Sequence, residues 1–132
     1  TMNYELGWEA QRVEGGSEFS TLVFPVGASH CALAVGANGD VLALDLVDGK
    51  NVWQNETKNH IAFELGRWYS LRLRVTPSRI GVWLDDVKKI DQPVAGHTFS
   101  VWGGPNALKP LGFTTWRTKG ALRNLRLRRI EP

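Results

Sequence analysis

Residues 67–84, RWYSLRLRVTPSRIGVWL, alternate apolar and polar side chains on both sides of a break at Thr76-Pro77-Ser78-Arg79. Period-two alternation sends successive side chains to opposite faces of a strand, and proline suits the first central position of a turn. With Pro77 and Ser78 as a two-residue loop, Val75 pairs with Ile80, Leu73 with Val82 and Leu71 with Leu84, so one face of the hairpin is wholly apolar. The other face holds Ser70, Arg72, Arg74, Gly81 and Trp83. Arg72 then lies opposite Trp83, where a guanidinium over an indole contributes about 0.5 to 1 kcal/mol. A hairpin with one apolar face belongs to a sheet that is covered on that side.

Immediately downstream, GVWLDDVKKI places Asp85 and Asp86 where the chain must reverse, so this carboxylate pair reads as a turn. A two-residue loop would turn Lys89 inward and Ile90 outward, whereas a three-residue loop with a bulge returns Ile90 to the core beside Val82. The bulged loop is the expectation. Adjacent carboxylates on a strand point to opposite sides, while glycoside cleavage needs two facing each other about 5 to 9.5 Å apart. Asp85 stays a candidate ligand contact at the rim.

The same alternation recurs outward along the chain. YELGWEAQRV sets Tyr4, Leu6, Trp8 and Ala10 on one face and Glu5, Glu9 and Gln11 on the other. FSTLVFPV, HCALAVGA and DVLALDLV follow as apolar strands separated by glycine, asparagine and aspartate breaks; VKKI, LGFTTW and ALRNLRLRRI come later. Two stretches read as long loops, Gly49 to Asn59 with Trp53, and Gln92 to Pro110 with Trp102. No segment keeps the i, i+3, i+4, i+7 spacing of an amphipathic helix. About ten short strands without crossover helices predict an all-β fold, a two-sheet antiparallel sandwich of jelly-roll type.

The 132 residues make a single domain with core enough to need no disulfide or metal staple. The lone Cys31, inside CALAV, reads as a buried thiol. A net charge of +3 is mildly basic, and no apolar run of 18 residues is present to span a membrane as a helix. The opening Thr1-Met2-Asn3 reads as a cut, so a domain excised from a larger protein is expected. His30, His60 and His97 are at least 30 residues apart and make no metal-ligand spacing, no Gly-x-Ser-x-Gly turn marks a nucleophile, and no cofactor is expected.

GRWYSLRLRVTPSRIGVWLDD together with LGFTTWRTKGALRNLRLRRI resembles the concanavalin A-like lectin/glucanase sandwiches. The nearest likeness is to the bacterial family described as 3-keto-disaccharide hydrolase-like, through the Trp-Tyr strand, the strand ending in a Val-x-Leu-Asp turn, and the Leu-Gly-x-x-x-Trp run before a last strand with Arg-Asn. The two stretches span about a third of the chain, and Asp86 stands where the family usually has glycine. The Glu-x-Asp-x-x-Glu motif of the laminarinase-like branch is absent. The resemblance implies a LamG-like jelly roll, an extracytoplasmic or cell-surface setting, and sugars as ligands or substrates.

Six tryptophans are many for this length, and indole faces stack on the C–H faces of sugar rings while neighbouring polar groups bond the hydroxyls. The expected site is a groove bordered by Trp53, Asn55, Glu56 and Thr57 on the first long loop, Trp116 and Arg117 before the last strand, and Arg72, Trp83 and Asp85 on the adjoining hairpin. The function expected is a non-catalytic carbohydrate-binding module of a larger bacterial protein. The alternatives are a glycoside-cleaving enzyme related to the 3-keto-disaccharide hydrolases, using Asp45, Asp85 or Glu56, and a protein-interaction or structural domain with no small ligand. Asn124, Arg126 and Arg128 share a side and, with Arg72 and Arg74 on a neighbouring strand, would give one basic face; it reads as a solvated surface, with nucleic acid disfavoured by the modest charge. Asn55-Glu56-Thr57 is also a glycosylation sequon, which would block the groove.

Overall fold

A computed structural model describes residues 3–101, 111–115 and 117–130; the expectations that rest on Trp102 and Trp116 lie outside them. Ten strands are described and no helix: β1 (Tyr4–Gly15), β2 (Thr21–Val26), β3 (Ser29–Ala37), β4 (Val41–Asp45), β5 (Asn59–His60), β6 (Trp68–Val75), β7 (Arg79–Leu84), β8 (Val87–Pro93), β9 (Gly112–Thr114) and β10 (Thr118–Arg129). They form two antiparallel five-stranded sheets, β10-β1-β6-β7-β8 and β5-β4-β3-β2-β9. The all-β, jelly-roll sandwich expected from the alternation is the fold.

The alternating apolar positions meet between the sheets. From the first sheet come Tyr4, Leu6, Trp8, Ala10, Tyr69, Leu71, Leu73, Val75, Ile80, Val82 and Ile90; from the second come Leu22, Phe24, Cys31, Leu33, Val35, Leu42 and Leu44. Full burial of each large side chain is worth about 1.5 to 3 kcal/mol. Tyr4 also links the layers, its hydroxyl donating to the Pro25 carbonyl at 2.6 Å. The Cys31 thiol is buried and its pKa is pushed up to about 12, so it behaves as a small apolar group.

The central hairpin has the register read from its sequence, Val75 with Ile80, Leu73 with Val82 and Leu71 with Leu84, and Arg72 opposite Trp83. The reversal at the aspartates differs in detail. Leu84 pairs with Val87, so Asp85 and Asp86 are a two-residue turn, both with positive φ (49° and 67°). Such a turn matches the twist of the strands, and aspartate tolerates this region better than most residues. The extra residue sits farther along, between the pairs Trp83–Lys88 and Val82–Ile90, where Lys89 bulges out. Ile90 is thereby buried beside Val82, as the apolar pattern requires, and Lys88 reaches the Trp83 ring at 5.2 Å.

At one end of the sandwich the inward parity of β1 continues to Arg12, which is 4% exposed. Among the described residues its guanidinium meets carbonyls rather than a carboxylate: Nε and Nη2 donate to Ser17 O, Nη1 to Phe63 O, and Nη2 also to Gly36 O and Gly39 O. One cation thus gathers the ends of three loops, above the Phe19 ring at 5.0 Å. Gly36, at φ 87°, has no room for a Cβ, which would lie 2.6 Å from Arg12 Nη2.

Candidate functional site: the outer face of the second sheet

In β4, Leu42 and Leu44 enter the core, so Val41, Ala43 and Asp45 face outward. Ala43 pairs with Ala34 of β3, and Asp45 with Ala32. Small side chains keep this outer floor low, and Val52 of the following loop packs onto Ala34, Ala37, Val41 and Ala43. Beside that cover a cleft of about 510 Å³ opens, lined by Ser17, Glu18, Asn38, Asp45, Asn51 and Trp53 among others.

Local hydrogen bonding presents the indole. Asn51 Oδ1 accepts from the Trp53 backbone N–H at 2.9 Å, and Gln54 N–H donates to the Asn51 carbonyl at 3.0 Å, a tight turn that leaves Trp53 47% exposed at the cleft. Glu18 accepts from the Thr21 hydroxyl at 2.9 Å. Burial raises the Glu18 pKa above the ordinary carboxylate value; the Thr21 hydrogen bond opposes this, and the nearby Asp45 charge adds to it. The cleft therefore combines an aromatic platform, two carboxyl groups and two amide side chains, a set suited to a ring with one apolar face and several hydroxyls.

A second cleft of about 400 Å³ lies between the same loop and β8, with Asp48, Asn55, Glu56, Lys89 and His97 in its lining. Asp48 bonds the Thr98 backbone N–H and the His97 ring, both at 2.7 Å, and the Thr98 bond above all holds its pKa low. His60 stands 3.7 Å from Asp40. Among the described residues no group of three or more His, Cys, Asp or Glu is placed to hold a metal ion.

The residues expected to border one groove are dispersed. Trp53 lies in the cleft of the second sheet. Arg72 and Trp83 lie on the outer face of the first, because their strand neighbours Leu71, Leu73, Val82 and Leu84 point into the core. Packed sheets stand about 10 Å apart, so the whole sandwich separates the two tryptophans. Asp85 is a turn residue, accepting from the Ser70 N–H and from Arg67 Nη2, both at 2.9 Å.

Asn55 is buried and structural: its amide donates to the carbonyls of Leu44, Lys50 and Asn51, and its oxygen accepts from Thr57 N–H. The Thr57 hydroxyl in turn accepts from Leu44 N–H at 2.9 Å, so the pair continues the hydrogen bonding of β4 through side chains. The Asn55 amide is thereby engaged within the fold, at the wall of the second cleft rather than beside Trp53 in the first. Glu56 is exposed beside the second cleft, and Arg117 is exposed ahead of β10 with φ 47°. Glu18, Asn38 and Asn51 were not legible as site residues: they stand in turns far apart in sequence. Of the cleft's residues the sequence singled out Trp53, as a sugar platform, and Asp45, as a conceivable acid of the enzyme alternative.

No protein-family model and no curated protein sequence matches the chain. Solved structures do. Carbohydrate-binding module CBM66 from Bacillus subtilis superposes with a TM-score of 0.66 at 15% identity over 96% of this chain and 75% of its own. The galectin LEC-6 of Caenorhabditis elegans gives 0.62 at 11% identity over 97% and 84%. An alginate lyase from Corynebacterium sp. gives 0.57 at 10% identity over 98% and 60%. At these identities the likeness is one of fold, a jelly-roll sandwich also found in a carbohydrate-binding module, a galectin and an alginate lyase.

Proposed function

We propose that this domain is a non-catalytic glycan-binding module whose sugar site is the cleft on the outer face of the second sheet. The observation that carries the reading is Trp53: a large indole held half-exposed by its own turn, over a cleft whose other groups are carboxyls and amides. The ring stacks on the C–H face of a pyranose, and Asp45, Asn38 and Asn51 take its hydroxyls. The likeness in fold to a carbohydrate-binding module and to galectins supports the same ligand class.

The test is calorimetric titration of neutral oligosaccharides selected on a glycan array. Trp53→Ala is expected to weaken binding by about 1 kcal/mol or more, as for an anchoring aromatic, with the melting temperature unchanged. A bound sugar whose affinity ignores Trp53 would place the site elsewhere.

A second reading, glycoside cleavage, has one observation in its favour: Glu18, with its raised pKa, shares the cleft with Asp45. A carboxyl that holds its proton more tightly than usual beside a second carboxyl is what an acid-assisted cleavage uses. The resemblance of the hairpin and the last strand to 3-keto-disaccharide hydrolase-like proteins supports it as well. Release of reducing sugar that Glu18→Gln abolishes would establish this reading; binding without release establishes the first.

A further inference from the structure

On the outer face of the first sheet the register fixes a pattern of charge. Glu5 of β1 pairs with Arg74 on one side and Arg128 on the other, and Gly7, two residues on, pairs with Arg72 and Arg126. Four arginines therefore frame β1, about 10 Å apart across the strands and about 7 Å apart along them. Glu5, its side chain only 9% exposed, holds three of them, with Arg74 Nε at 3.1 Å, Arg128 Nη2 at 3.2 Å and Arg72 Nη1 at 3.8 Å.

The next carboxylate along β1, Glu9, holds Arg123 at 2.7 Å and Asn124 at 2.8 Å, because a bulge turns Arg123 onto this face. Between the two carboxylates Gly7 contributes no side chain. Its ordinary backbone angles and open surroundings, with nothing nearer a Cβ than Leu71 O at 3.8 Å, leave a notch. The Arg79–Asp91 pair at 2.8 Å cancels. Arg72, Arg74, Arg123, Arg126, Arg128 and Lys88 against Glu5 and Glu9 then leave a surplus of four positive charges, six less two, where the whole chain carries +3.

We propose that this face binds an acidic polysaccharide, with a uronate carboxylate seated in the Gly7 notch between Arg72 and Arg126 and neighbouring carboxylates on Arg74, Arg123 and Arg128. The assignment of a glycan rather than another polyanion rests on the proposed function; the anionic character rests on the arginine frame alone. Guanidinium forks match carboxylates two bonds at a time, and Arg72, Arg74, Arg123 and Arg128 are already held by Glu5, Glu9 and the tryptophans, so little of their side-chain freedom is lost on binding. A stiff polymer with carboxylates at a regular repeat suits cations at fixed strand spacing.

Single-stranded nucleic acid fits less well, because it needs open aromatic faces for its bases. Trp83 lies under Arg72 at 4.3 Å and Trp68 under Arg123 at 3.9 Å. An acidic peptide would add to a free strand edge; β10, with Arg126 and Arg128, ends the sheet, but the Gly7 notch, Arg72 and Arg74 lie on the inner strands β1 and β6, away from that edge.

The experiment titrates the 132-residue chain with polygalacturonate, its fully methyl-esterified form, poly-glutamate and a single-stranded DNA oligomer. Polygalacturonate should bind, and bind more weakly as salt rises; the ester should not. The variant carrying Arg74→Gln, Arg126→Gln and Arg128→Gln should lose roughly tenfold or more in affinity, as expected when charge-assisted bonds are removed. Trp53→Ala should leave this affinity unchanged.

Gly7→Glu is the second variant. It should keep or raise the melting temperature, since a carboxylate fills the notch from within, and should abolish polygalacturonate binding. No binding of polygalacturonate, equal binding of the ester, or indifference to both arginine and Gly7 variants would overturn the inference. Tighter binding of poly-glutamate or DNA would overturn it in favour of those partners. Polygalacturonate binding lost in Trp53→Ala alone would move the acidic ligand into the cleft and leave the proposed function standing. Neutral sugars failing at the cleft while polygalacturonate binds the arginines would do the reverse.

Discussion

Arg12 shows how one side chain sets the end of the sandwich. A buried cation normally meets a carboxylate; here burial lowers its pKa, and peptide carbonyls satisfy it instead. Arg12→Met would strand the carbonyls of Ser17 and Phe63 and is expected to cost about 2 to 4 kcal/mol, by analogy with other losses of buried charged hydrogen bonds. Urea denaturation measures it, and a cost under about 0.5 kcal/mol, the range of ordinary surface changes, would show that water replaces the guanidinium without penalty. Glu18 gives the opposite sign. Its folded pKa lies above the unfolded value, so no cost exists at low pH; as pH rises past the unfolded carboxylate value of about 4.3 the unfolded chain ionises first and stability is lost. Glu18→Gln, whose carbonyl still accepts from Thr21, should therefore melt higher than the parent at pH 7 and no higher at pH 4. Thermal melts at the two pH values decide it. Neither role follows from residue type: Arg12 extends by one position the inward set Tyr4, Leu6, Trp8 and Ala10, and Glu18 takes its character from burial and from Asp45 brought beside it.

At the scale of elements, the β7–β8 hairpin separates two aspartates that look alike in sequence. Asp86 makes no side-chain hydrogen bond or ion pair among the described contacts and has φ 67°, so Asp86→Gly relieves backbone strain and should change stability by less than about 1 kcal/mol, in the stabilising direction. Asp85 ties the turn to the start of β6 through Ser70 and Arg67, and Asp85→Ala should cost about 1 to 2 kcal/mol for those bonds. Denaturant melts of the pair test the contrast; equal effects would mean that the turn, not the tie, carries the stability. The register of β6 and β7 was readable because any other would have buried arginine. The place of the bulge was not, since a three-residue turn and a bulge at Lys89 both return Ile90 to the core, and only the fit of Lys88 over Trp83 distinguishes them.

At the scale of the molecule, the sandwich has two outer faces of different chemistry, a cleft with an indole and carboxyls on one and a frame of arginines on the other. With the sheets between them, changes on one face should not reach the other, and Trp53→Ala combined with Arg74→Gln should show the sum of the single effects on either ligand, as for sites more than about 10 Å apart. Titration of each ligand against the single and double variants checks this; a shared groove would give coupled losses. The sequence by itself determined the all-β class, the hairpin register, the inward-facing set of apolar residues and the shared side of Arg72 with Arg74 and of Arg126 with Arg128, because a period of two admits one burial choice wherever a strand runs unbroken, as β10 does not at its bulge between Arg123 and Arg126. The tertiary structure decided which outward residues meet. It set Glu5 between Arg74 and Arg128 and brought Trp53 to Glu18 and Asp45, while it parted Trp53 from Trp83 and turned Asn55 inward. Strand order and loop paths bring together residues remote in the chain, and no local periodicity encodes them.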